Sequence, residues 1–141
     1  MATKKNNNVF AAWLLAALGW AIPGAGHLAQ GRWRRGLLAL VTVWGLMSLG
    51  FMFGGRFFDL TSAREGLLML AYGVFNVGNG LAYLFGYLSG AGFGDGGGEL
   101  AKIPTFEHAN TLIMVAGLLN FLVALDAFDI KTADDTAERE D

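Results

Sequence analysis

Cysteine is absent from this sequence, which excludes disulfides, thiolate metal sites and thiol nucleophiles. Charge is scarce as well, at 16% of residues, and nearly all of it lies between or beyond four long apolar stretches. The only histidines are His27 and His108, so there is no His-Glu-x-x-His pair and no metal-ligand cluster, and no Ser/His/Asp set is visible. Glycine-rich as residues 90–98 are, no Gly-Lys-Ser/Thr follows them and no strand precedes them, which excludes a phosphate-cradling loop. A lone Asp95 there cannot hold calcium. Proline occurs twice, at Pro23 and Pro104, each where a helix boundary is expected.

Hydrophobic residues make up 54% of the 141-residue chain. They are concentrated in Val9–Ile22, Gly36–Phe53, Gly66–Leu88 and Thr111–Leu125. In water such a chain would expose more apolar surface than it could bury, whereas a bilayer accepts it directly. The fold class expected is all-α: an integral membrane domain of four short transmembrane helices over 9–130, at about 9–22, 36–53, 66–88 and 106–128. A polar lead (1–8) is expected to fray, and an acidic tail (131–141) to be disordered.

The first stretch has fourteen residues and ends at Pro23, about 21 Å of helix against a hydrocarbon core of roughly 30 Å. It is therefore either a short crossing or a re-entrant segment, and the turn after it is expected below the headgroups, covered by protein. A cleaved signal peptide is the competing reading; the quick succession of Pro23-Gly24-Ala25-Gly26, an arginine cluster and a second apolar run fits a turn between two membrane helices better. Pro23, Gly24, Gly26, His27 and Gly31 form this structural turn, with His27 expected to cap exposed carbonyls.

The third stretch carries Gly78, Ala82, Gly86 and Gly90 every four residues, a face almost without bulk that permits close helix packing. Self-association or a protein partner through this helix is expected. Asn76, Asn79 and Asn120 lie deep in apolar segments and need hydrogen-bond partners, so Asn120 is expected to pair with Asn76 or Asn79. Arg32, Arg34 and Arg35 form the strongest topological signal and place their loop in the cytoplasm; four crossings would put the amino end outside, against which Lys4 and Lys5 argue, and a re-entrant first helix would put it in the cytoplasm as well. If all four helices cross, the Arg56–Glu65 connection is outside, the glycine-rich loop inside and the tail outside. Asp126 and Asp129 sit one turn apart where the last helix leaves the membrane, and are read as interface charges.

Two blocks carry a resemblance. Pro23-Gly24-Ala25-Gly26-His27, then Gly31-Arg32 and Arg35-Gly36-Leu37-Leu38, resembles the turn of the two-transmembrane-helix domain superfamily. Leu28 and Ala29 stand where aromatics are usual there, and the Asp-Arg-Phe triplet is missing. Ala116–Asn120 with Leu125–Ile130 is similar to the closing segment of an uncharacterised family of small bacterial four-helix membrane proteins. The resemblance implies a multi-pass protein of the bacterial inner membrane and no reaction. The expected function is thus non-enzymatic: helix–helix contact as a homo-oligomer or accessory subunit, with a small oligomeric channel or transporter as the alternative. No cofactor, metal or nucleic-acid partner is expected; the lipid bilayer is.

Overall fold

The computed structural model describes residues 2–61, 66–94, 102 and 104–137, with side chains from residue 9 onward. Six helices are present among them, and no strand: α1 (Ala2–Ala21), α2 (Ala25–Ala29), α3 (Trp33–Met52), α4 (Leu67–Val77), α5 (Leu81–Ser89) and α6 (Phe106–Ala137). Two of them, α3 and α6, are long and apolar enough to cross a membrane, or three if the bent pair α4–α5 counts as one span.

Antiparallel α3 and α6 form the axis. At one end Arg35 approaches Asp126, and at the other Gly50 packs on Ile113 and Ala109. Between these points Val43, Met47, Ile113 and Ala116 are buried together, joined by Phe57 from the connection after α3. Phe57 stacks edge-on against Phe51 and Tyr83, at ring distances of 5.0 and 5.5 Å. Phe57 and Phe58, both 4% exposed, thus close the core at this end.

Two helical hairpins flank the axis, and they enter from opposite ends. In the first, α1 runs antiparallel to α6, with Trp13 on Phe128 and the Trp20 carbonyl beside Asn120. Proline 23 can donate no backbone hydrogen bond, so α1 stops at Ala21, and Gly24, at φ 81°, turns the chain back. The short α2 then returns along α1, where Gly26 faces the Leu15 carbonyl and Ala127. In the second hairpin, α4 runs parallel to α6, with Tyr72 beside Thr111 and Gly78 against Gly117. After a break at 78–80 the chain bends by 111° and α5 leads back. The Phe57 N–H donates to the Gly92 carbonyl at 2.7 Å, so the segment after α5 meets the connection after α3.

Several expectations are corrected here. The third apolar stretch is not one helix over 66–88. Gly78-Asn79-Gly80 interrupts it, and Gly80 adopts φ 61°, ψ −129°, a conformation closed to other residues. As a result, residues 53–61 and 90–94 lie at the same end of the molecule instead of opposite ends. The remainder of the glycine-rich loop lies outside the described residues. The second helix begins at Trp33, so Arg32 stands at its N-cap and Arg34 and Arg35 occupy its first turn. The tail expected to be disordered is helical to Ala137. Lys131 donates to Asp135 one turn on at 2.6 Å, Arg32 donates to Asp134 at 3.2 Å, and α1 packs along α6, which together give these residues a partnered helical surface. The lead expected to fray is the start of α1. Residues 138–141 lie outside the described residues.

Candidate functional site

The tips of the two hairpins meet at the middle of the α3–α6 axis. The Trp20 indole Nε1 donates to the Val77 carbonyl at 3.1 Å. A Cβ on Gly80 would overlap the Trp20 carbonyl oxygen, and one on Gly117 would overlap that of Phe75. Backbone therefore lies directly on backbone, which only glycine permits. Helix ends in such a place leave carbonyls without intrahelical partners.

Asparagines answer that need. The Asn120 Nδ2 donates to Trp20 O at 2.8 Å and Gly78 O at 2.7 Å, tying both tips to α6. The Asn79 Nδ2 donates to Asn76 O and Ile113 O, each at 3.2 Å. The expected amide–amide pairing is thus replaced by amide–carbonyl bonds, because two broken helices supply acceptors that a continuous bundle would not. Asn76 differs from the other two. It is 1% exposed, and among the described residues neither its Oδ1 nor its Nδ2 has a partner; the Oδ1 atoms of Asn79 and Asn120 are likewise buried and, among the same residues, unpartnered. Buried polar atoms of this kind are rare in folded proteins and call for a specific cause.

The Gly78/Ala82/Gly86/Gly90 face is not left free. Gly78 meets Gly117 of α6, Ala82 packs on the core, and Gly86 meets Phe57 and Ala91. Gly90 only ends α5, in open space at φ 74°. The small residues thus serve contacts inside the chain, and Ala82 and Gly86 also line an apolar groove between α3 and α5.

A second polar cluster forms where α2 crosses α6. His27 is 2% exposed, and its Nε2 lies 2.7 Å from Asp126 Oδ2. Its expected role of capping carbonyls is replaced by this bond to a carboxylate. Gln30 donates to Gly26 O and Ala127 O, both at 3.0 Å, and fastens the same junction. Arg35 Nη1 stands 3.9 Å from the same Asp126 oxygen, Arg32 pairs with Asp134, and Arg34 lies over Trp33 at 5.8 Å. Gly31 completes the turn at φ 72°. Asp129 is exposed on α6, apart from the His27–Asp126 contact, and His108 sits near the other end of α6. His27 and Asp126 thus meet while Asp129 and His108 stand apart, and no group of three metal-binding side chains occurs among the described residues.

Sequence reasoning missed Trp20, Gln30, Asn110 and Gly117. Asn110, whose Oδ1 accepts the Arg56 N–H at 2.9 Å, ties the connection after α3 to α6. Thr105, just before α6, donates its hydroxyl to Phe53 O at 3.0 Å. The spacing Gly24-x-Gly26 and Gly78-x-Gly80, one pair at each break, was the available signal for two hairpins.

These features define an all-helical protein with two to three helices able to cross a membrane and a buried polar centre at mid-length. The family model DUF6677, a family of unknown function, matches residues 14–139, and the chain belongs to that family. No curated protein and no solved structure matches it.

Proposed function

We propose that this is a non-enzymatic, multi-pass membrane protein that, as an oligomer, passes a small polar solute or ion across the bilayer by way of the asparagine centre. Helices α3 and α6 cross. The α1–α2 and α4–α5 hairpins dip in from opposite faces and meet near the midplane, an inverted arrangement of the kind that builds midplane sites in transporters. Both termini then share a face with Arg32, Arg34 and Arg35, and Lys4 and Lys5 join them. The charge conflict met in the sequence disappears, and that face is cytoplasmic in a bacterial inner membrane. Four complete crossings are not part of this reading.

The observation that carries it is Asn76. An amide buried at that depth with both polar atoms unpartnered costs about 1–3 kcal/mol. Its retention is explained if a passing solute or water meets it. In the closed form described here the centre is sealed, with Asn120 at 0% exposure, so passage requires the tips to part. Flux in proteoliposomes tests the reading. The wild-type protein is expected to pass an ion or small solute, and Asn76→Leu to abolish passage without lowering the melting temperature. Flux no higher than that of empty liposomes, across ions and small solutes, would sink it.

A second reading keeps the protein as a contact-forming oligomer or accessory subunit. It is favoured by an apolar groove of about 620 Å³ between α3 and α5, with Ala82, Gly86 and Gly92 as its floor and Trp44 and Phe85 on its rim. Small floors let another helix approach closely. Phe85 is 69% exposed, so Phe85→Ala should leave the fold intact and shift the oligomer on native mass analysis. An unchanged mass distribution would count against it.

A further inference from the structure

On the face of the α3–α6 pair near α2 lies a cleft of about 400 Å³, separate from the asparagine centre and the α3–α5 groove. Its mouth is polar, formed by His27, Arg35 and Asp126, and its walls are apolar, with Leu38, Val43 and Leu122 along them. Arg35 to Val43 is eight positions, about 12 Å along the helix axis. The cleft therefore runs from the arginine end of α3 toward mid-length. At the same end of α3, on another face, Trp33, over which Arg34 lies, is 63% exposed, an arrangement suited to the headgroup level of a bilayer.

Arg35 and Asp126, one side chain of each sign, stand unsaturated at the mouth. Asp126 Oδ2 is engaged by His27, and no described donor reaches the other carboxylate oxygen. Arg35 is 3.9 Å from that carboxylate, beyond hydrogen-bond range, and its side chain is 61% exposed. A guanidinium offers a fork of donors to a phosphate, while a carboxylate accepts N–H bonds from an ammonium. One cation beside one anion matches a zwitterion. An anionic glycerol headgroup would set the same phosphate on Arg35 but meet Asp126 with neutral hydroxyls, weaker partners for a carboxylate than an ammonium, and a quaternary ammonium has no N–H to donate.

We propose that this cleft holds a zwitterionic phospholipid with a primary amine headgroup: phosphate on Arg35, ammonium on Asp126, and one acyl chain along the walls. The proposal rests on the membrane location argued above and is independent of solute passage. Purified protein in nanodiscs of mixed phosphatidylethanolamine, phosphatidylcholine and phosphatidylglycerol with equal chains, released for native mass spectrometry, tests it. Retained lipid should be enriched several-fold in phosphatidylethanolamine. Asp126→Asn, which keeps an acceptor for His27, should remove the enrichment by loss of the charge that holds the ammonium. Leu122→Trp, at a wall position 53% exposed, should remove it by filling the cleft, and circular dichroism should show both variants helical. Lipid retained in the proportions supplied, enrichment in phosphatidylglycerol, or enrichment surviving both substitutions would overturn the proposal. A chain that does not enter nanodiscs at all would overturn the membrane location and this proposal with it.

Discussion

Asn120 and Asn76 show two different uses of one side chain at the same depth. Asn120 satisfies carbonyls left by two helix breaks, Trp20 O and Gly78 O. Asn120→Leu orphans both, at about 1–3 kcal/mol each, so a loss of roughly 2–6 kcal/mol is expected in thermal or denaturant unfolding in micelles. Asn76 makes no side-chain bond, and Asn76→Leu should cost nothing or add stability. Equal destabilisation by the two substitutions would show that Asn76 is held by interactions like those of Asn120. Gly117 gives a third residue-scale prediction. Its Cβ would overlap the Phe75 carbonyl, so Gly117→Ala must push α4 from α6 and lower the melting temperature. A variant as stable as wild type would mean that the backbones are further apart than described.

At the scale of elements, the ends of helices were legible where side-chain chemistry marks them. Pro23 fixed the end of α1 to within a residue, and the rise of Thr111–Leu125 located the middle of α6. The break between α4 and α5 was not legible in the same way. Gly78, Ala82, Gly86 and Gly90 fit a four-residue helical face, and glycine is common in membrane helices, so the pattern of a smooth face concealed a turn. What distinguishes the two is the φ of Gly80, a property of the tertiary approach of Trp20 and not of local spacing. The helical extension to Ala137 escaped for a related reason. Acidic residues read as a solvated tail until α1 and Arg32 are placed beside them. The polar centre was legible as residues, since Asn76, Asn79 and Asn120 stand out from apolar runs; their partners were not, because carbonyls freed by a tertiary break leave no mark in the sequence.

For the whole molecule, the account predicts a distribution of ends that four complete crossings cannot produce. The absence of cysteine makes it directly testable, because single cysteines can be introduced at Ala2, Thr61, Gly94 and Thr136 and probed with a membrane-impermeant thiol reagent in intact cells and in inverted vesicles. With opposed hairpins, Thr61→Cys and Gly94→Cys react from one side, and Ala2→Cys and Thr136→Cys from the other, the side of Arg32–Arg35. Gly94→Cys reacting from the same side as Arg32–Arg35, with Thr136→Cys on the side of Thr61→Cys, would contradict the account and restore four crossings.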